Sequence, residues 1–132
     1  MDVGVVFPTY EIGNDPGLIR DFVQSAEELG YKHITIYDHV LGADPNREGW
    51  RGPHTIDNPF HEALPMIAYM AGITKTIGFM TAILVLPQRQ AALVAKQAGQ
   101  IEIRAPGRLR LGVGVGWNAV EFEALGMDFS TR

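Results

Sequence analysis

The chain has 132 residues, 46% of them hydrophobic, with 11 Lys and Arg against 15 Asp and Glu for a net charge of −4, and no Cys. That composition describes one globular domain that buries about two-thirds of its unfolded surface, and it excludes disulfides, thiolate metal sites and a Cys nucleophile. No window reaches the run of about 20 apolar residues that a membrane-spanning helix needs. The start, Met1 to Thr9, lacks the layout of a secretion signal, and Arg104, Arg108 and Arg110 are too sparse for a nucleic-acid face. A reducing, cytoplasmic setting follows, with no membrane and no nucleic-acid partner.

Val3 to Phe7 is a short apolar run stopped by Pro8, which reads as a strand buried on both faces. Glu11 to Asn14 is a turn-forming stretch. Asp15 and Pro16 then form a helix cap and first turn, Leu18, Ile19, Phe22, Val23, Ala26 and Leu29 recur at helical spacing, and Gly30 closes the helix. His33 to Tyr37 is a second strand, at a distance right for a parallel crossover. From Asp38 to Asn58 there are two Asn, two Pro and three Gly without periodicity, a long loop of the kind that usually carries function.

Asn58 and Pro59 signal the next helix, with Phe60, Ala63, Leu64, Ile67, Ala68 and Ala71 on one face. Pro65 would cost a backbone bond inside it, so the regular helix can equally begin there. Thr76 to Val85 is a third strand, apolar enough to be covered on both faces. Gln88 to Ile103 follows as a helix with Ala91, Val94, Ala95, Ala98 and Ile101 buried. Arg108 to Val115 is a fourth strand, leading through Gly116 and Trp117 into a short helix from Asn118 to Leu125.

These are four successive βα units of about 33 residues each. Eight such units need about 264 residues, close to the roughly 250 of a TIM barrel. The expected fold is therefore α/β: the first four βα units of a TIM (β/α)8 barrel, parallel strands with helices outside, and no internal domain boundary. Asp128, Ser130 and Thr131 are helix-capping types just before Arg132, which fits a chain that continues into another helix.

In such a barrel the chemistry sits at the carboxyl ends of the strands. Asp38 and His39 stand there, a carboxylate beside an imidazole that can carry a proton near neutral pH; a loop pair with satisfied hydrogen bonds explains them equally well. Gly112, Gly114 and Gly116 fall on one face of the fourth strand, giving either room for a flat cofactor or close packing of a neighbour. Gly114 to Ala119 fits the dinucleotide fingerprint G-x-G-x-x-G/A loosely, after the wrong strand and with Trp117 crowding a phosphate turn. No metal site is expected: His61–Glu62 meets Pro65 where H-E-x-x-H needs its second His, and His54 and His61 read as solvated loop histidines. Trp50 and Trp117 read as packing before ligand stacking, and Met66, Met70 and Met80 as core or lid.

Together the segments GVVFPTYEIG, DHV from Asp38, IGFMTAILVLPQRQAALVAKQ from Ile77 and LRLGVGVGWNAVEFEALGMDFSTR from Leu109 closely resemble the luciferase-like monooxygenase superfamily. The nearest branch is that of oxidoreductases using the deazaflavin coenzyme F-420, and the likeness covers the amino-terminal half of such a protein. It implies hydride transfer between F-420 and a small organic substrate, with FMN-dependent monooxygenation as the alternative. A non-catalytic half-barrel that acts only through pairing is a third reading. By resemblance, Asp38 and His39 border the cofactor ring, and His39 is the catalytic residue near the substrate. Ala82 and Ile83 match a non-proline cis peptide that backs the ring, and Gly116, Trp117 and Asn118 match the turn along it. Ala43 and Trp117 stand where the sugar-phosphate dehydrogenases of the branch carry Trp and Glu, which argues against that substrate. Open strand edges would make a homo-oligomer, or pairing with a carboxyl-terminal half, the expected assembly.

Overall fold

The structure is a computed structural model and describes residues 1–58 and 60–132. Four parallel strands run in sequential order, β1 (Gly4–Val6), β2 (His33–Ile36), β3 (Gly78–Val85) and β4 (Leu109–Gly114), with β1 and β4 at the edges. The expected four βα units are all present. Register is continuous from Gly4↔His33 through His33↔Gly78, and the β3–β4 ladder shifts between Thr81 and Leu84. Among the described residues no helix is long and apolar enough to cross a membrane.

Helix α2 (Pro16–Glu28) forms as its capping residues dictate: the Asp15 carboxylate accepts from Gly17 N at 2.8 Å and Leu18 N at 3.1 Å, and Pro16 occupies the first turn where no donor is needed. It buries Ile19, Val23 and Ala26 against the sheet. Each fully buried aliphatic side chain contributes roughly 1.5–3 kcal/mol. Leu18 and Leu29, expected in the same stripe, are exposed, because they flank the contact line.

Several boundaries differ from the sequence reading. The stretch read as a turn after β1 contains a short helix, α1 (Thr9–Ile12), which ends at Gly13 with φ +54°. Helix α3 spans Ala63–Gly72 and is capped by the Glu62 carboxylate, which accepts from Leu64 N; Pro59, part of the expected start, lies outside the described residues. Pro65 falls in the first turn, where its missing N–H breaks no bond. Ala68 is exposed rather than buried. Helix α4 (Ala91–Arg104) buries Val94 and Ile101, while Ala91 and Ala95 face outward, and a 3-10 turn at Leu86–Gln88 replaces its expected first turn. Helix α5 (Ala119–Ala124) is capped by Asn118.

The core lies between the sheet and the helices, around Phe7, Ile34, Ile36, Leu64, Ile67, Met70 and Phe79. The other face of the sheet is open, which corrects the expectation of strands covered on both sides: Val6 is 46% and Ile83 39% exposed. Apolar runs alone do not say how many faces are covered. On edge strand β4 Leu109 packs on the core, whereas Leu111 and Val113, on the same face, are exposed.

Candidate active site

The carboxyl ends of the strands enclose a cleft of about 310 Å³ lined by Tyr10, Tyr37, Asp38, His39, His54, Ala82, Ile83, Val85, Gly116, Trp117 and Glu121. Six of the seven residues singled out from sequence line it: Asp38, His39, Ala82, Ile83, Gly116 and Trp117. Asn118 does not; its Oδ1 caps α5 by accepting from Val120 N, and its Nδ2 is buried with no partner among the described residues. The Ala82–Ile83 bond is cis.

Asp38 is wholly buried and its carboxylate is fully engaged. Arg89 donates to both oxygens at 2.7 Å, Val85 N–H adds a third bond at 2.8 Å, and Arg89 also reaches Glu62 Oε1 at 2.9 Å. A bidentate guanidinium–carboxylate pair of this kind is rigid, so Asp38 fixes where the β2 and β3 ends meet.

His39 has a different partner. Its Nδ1–H donates to Glu121 Oε2 at 2.9 Å, and Glu121 Oε1 accepts from Val40 N at 2.8 Å and Leu41 N at 3.2 Å. Burial pushes the Glu121 pKa up, but the hydrogen bonds from His39, Leu41 and Val40, with the His39 charge, outweigh it and hold the group below the usual carboxylate range. Whenever the ring is neutral, an ionised acceptor on Nδ1 keeps its proton there, and the Nε2 lone pair is then available to the cleft. Glu121 was not singled out from sequence.

His54 was read as a solvated loop residue, and the structure corrects this. Its ring lies 3.9 Å from that of His39, with Phe60 edge-on to both at 5.2 and 4.9 Å. The 38–58 loop folds back through a parallel bridge between Ala43 and Thr55, with Ala43 N–H donating to His54 O and Ile56 N–H to Ala43 O. A side chain at Gly42 would overlap the Thr55 carbonyl, so only glycine allows this approach. His61 is not solvated either; it packs edge-on to Phe7 and its Nε2–H donates to Gly13 O at 2.9 Å. Trp50 and Trp117 stack on each other at 6.2 Å, and Trp117 forms an exposed wall of the cleft.

The glycine series divides. A Cβ at Gly112 would overlap the Thr81 carbonyl oxygen, and one at Gly114 would come within 2.8 Å of Ile83, so both serve the close packing of β3. Gly116, at φ +75°, packs on Val85 and Phe122 at the cleft wall.

A strand-end cleft on parallel βα units, with an imidazole held against a buried carboxylate, is the layout of the α/β barrel class. The family model for luciferase-like monooxygenases matches residues 1–132, and the chain belongs to that family. It is 33% identical over 117 residues to an uncharacterised protein of Mycobacterium tuberculosis, which covers 83% of this chain and 40% of the relative. It is 30% identical over 115 residues to an F-420-dependent glucose-6-phosphate dehydrogenase of Kineococcus radiotolerans, covering 86% of this chain and 31% of the relative. Its fold is similar to that of the FMN-bound oxygenating constituent of 3,6-diketocamphane monooxygenase from Pseudomonas putida, with a TM-score of 0.72 and 23% identity over 100% of this chain and 34% of that one. The chain thus spans between about a third and two-fifths of these proteins' lengths.

Proposed function

We propose that the protein containing residues 1–132 is an oxidoreductase that moves a hydride between coenzyme F-420 and a small organic substrate. Residues 1–132 form the amino-terminal part of one luciferase-like barrel domain, whose β1 and β4 edges are closed by further chain or by a second copy. The observation that carries the reading is the Glu121–His39 pair at 2.9 Å in the strand-end cleft. A buried carboxylate holding an imidazole in a cleft is costly for a scaffold and useful for an enzyme, which disfavours the non-catalytic half-barrel.

The residues present fit a planar ring. Ala82, Ile83, Gly116 and Trp117 supply flat apolar walls, and Gly116 lets the turn lie close. A volume of about 310 Å³ sits at the low end of the roughly 300–1,000 Å³ of small-molecule sites, enough for a ring system without its phosphate-bearing tail. The deazaflavin, when bound, supplies the hydride donor or acceptor. The chain's own residues do the rest: Ala82 and Ile83 back the ring, Trp117 excludes water, and His39 Nε2 takes a proton from the substrate's reacting group or returns it.

A second reading, an FMN-dependent monooxygenase, draws on the family's description and on the apolar Trp117 wall. Titrating the full-length protein with F-420 and with FMN, followed by visible absorbance, separates the two. F-420 binding and its bleaching by an organic reductant support the first reading, FMN binding alone supports the second, and binding of neither overturns both.

A further inference from the structure

His54 carries titratable chemistry that the hydride-transfer reading does not use. It is held from two sides: its backbone carbonyl accepts from Ala43 N–H, and its Nδ1 is hydrogen-bonded to the Tyr10 hydroxyl, with the Tyr10 ring stacked on it at 5.9 Å. Burial and the neighbouring His39 lower its pKa from the usual histidine value, with Glu121 opposing, so the ring is held toward the neutral form. A phenol hydroxyl is a better donor than acceptor toward an imidazole nitrogen, so Tyr10 donates to Nδ1 and the proton of neutral His54 resides on Nε2.

In its neutral form His39 is set the opposite way: the Glu121 carboxylate, which can only accept, keeps the proton on Nδ1 and leaves a lone pair on Nε2. Two rings 3.9 Å apart therefore present a hydrogen-bond acceptor and a hydrogen-bond donor side by side to one cleft. One ligand atom satisfies both when it donates and accepts at once, as a hydroxyl oxygen does. A ketone, ether or carboxylate oxygen satisfies only the His54 side.

We propose that His54 contacts the substrate, donating from Nε2 to the same hydroxyl oxygen whose proton His39 Nε2 accepts, with Tyr10 as the positioning residue that fixes the His54 tautomer. The site is then specific for a hydroxyl-bearing compound, and the long loop exists in part to deliver a second imidazole. The role given to His39 here rests on the oxidoreductase reading; the tautomers do not.

The test uses the full-length protein with isotope-labelled histidine and long-range proton–nitrogen spectra, at a pH where both rings are neutral. His39 is expected as the Nδ1–H form and His54 as the Nε2–H form, and Y10F converts His54 alone to a mixture of tautomers. Tyr10 is 42% exposed, so Y10F leaves the core intact. Cyclohexanol then shifts the Nε2 signals of both rings saturably, whereas its methyl ether, which has no proton to donate, binds about fivefold or more weakly. A His54 found as Nδ1–H, a spectrum unchanged by Y10F, or equal response to the two probes overturns the proposal. H54Q keeps a side-chain N–H and H54F does not: cyclohexanol affinity should fall about tenfold in H54F and stay within about threefold in H54Q, and equal losses in both also overturn it. F-420 and FMN titrations of the same samples are read separately: if neither binds, the oxidoreductase reading falls, while the tautomers and probe affinities still decide the role of His54.

Discussion

Glu121 Oε2 and His39 Nδ1 meet at 2.9 Å across 82 positions of sequence, so helix α5 holds the imidazole that follows the second strand. The same carboxylate closes the Val40 and Leu41 amides. In E121Q the side-chain oxygen still accepts those amides, but the amide nitrogen opposes His39 Nδ1–H and the imidazole turns to its other tautomer. Thermal unfolding of the full-length E121Q protein should change by only a few degrees, while kcat falls by at least about a hundredfold. In E121A the His39 ring and the Val40 and Leu41 amides, all at part-buried bonds, lose their acceptor, and a loss of about 2 kcal/mol is expected in urea unfolding. Wild-type turnover in E121Q would remove the tautomer argument.

Asp38 and Arg89 make a different kind of pair, with side-chain exposures of 0% and 10%. Removing only the cation strands a buried carboxylate, so R89A should lower the unfolding free energy of the full-length protein by about 3–5 kcal/mol. R89K should recover only part of this, because a single ammonium cannot bond both oxygens. The double substitution D38A/R89M, which removes both charges, should cost clearly less than the sum of the single ones. Additive losses would mean that the two groups stabilise the strand ends separately.

The fold was legible where punctuation and period agree. Asp15, Pro16 and Gly30 bracket α2, and its apolar spacing needs no partner to be read. At the site, Asp38 and His39 were legible from their place at a strand end, whereas Ala82 and Ile83 were legible only by resemblance. Glu121 stands three positions after the N-cap Asn118, the spacing of a local capping box, and that pattern hides a side chain that reaches back to the loop after the second strand. His54 lies in a loop without periodicity, and its position depends on the Ala43–Thr55 bridge, a long-range pairing that no local pattern encodes. The α3 boundary was missed because Glu62 is an uncommon cap residue, whereas Asn58 is a favoured one whose Oδ1 instead bonds Thr55 inside the loop.

Glycines separate by what a methyl group would meet. At Gly112 it overlaps the Thr81 carbonyl oxygen of the neighbouring strand, and backbone cannot yield as a side chain can. G112A should therefore cost about 1–3 kcal/mol. Gly99 lies within α4 with nothing inside 4 Å of the added carbon. G99A should stabilise by about 0.5–1 kcal/mol through helix propensity alone. Melting curves of the two full-length variants should move in opposite directions, and a destabilised G99A would show an unseen contact on that helix face.

Glu27 gives the pH dependence its clearest lever. Burial alone raises its pKa, but the N–H groups of Thr76, Ile77 and Lys75 and the Thr76 hydroxyl all donate to it and hold it at about 2, against an ordinary value of 4.5. A group whose folded pKa lies below its unfolded one binds fewer protons in the folded state. Its stabilisation is complete above the unfolded value and disappears as pH falls through the folded value. Glu121, also shifted downward, acts in the same direction. Unfolding free energy of the full-length protein should therefore decline as pH drops from about 4.5 toward about 2. E27Q should be less stable than wild type at neutral pH, because the amide is a weaker acceptor for four donors. Its decline over the same interval should be shallower, so that the two curves converge at the acid end. Parallel curves would show that the carboxylate titrates alike in the folded and unfolded chains, and that the link from α2 to the start of β3 does not depend on its charge.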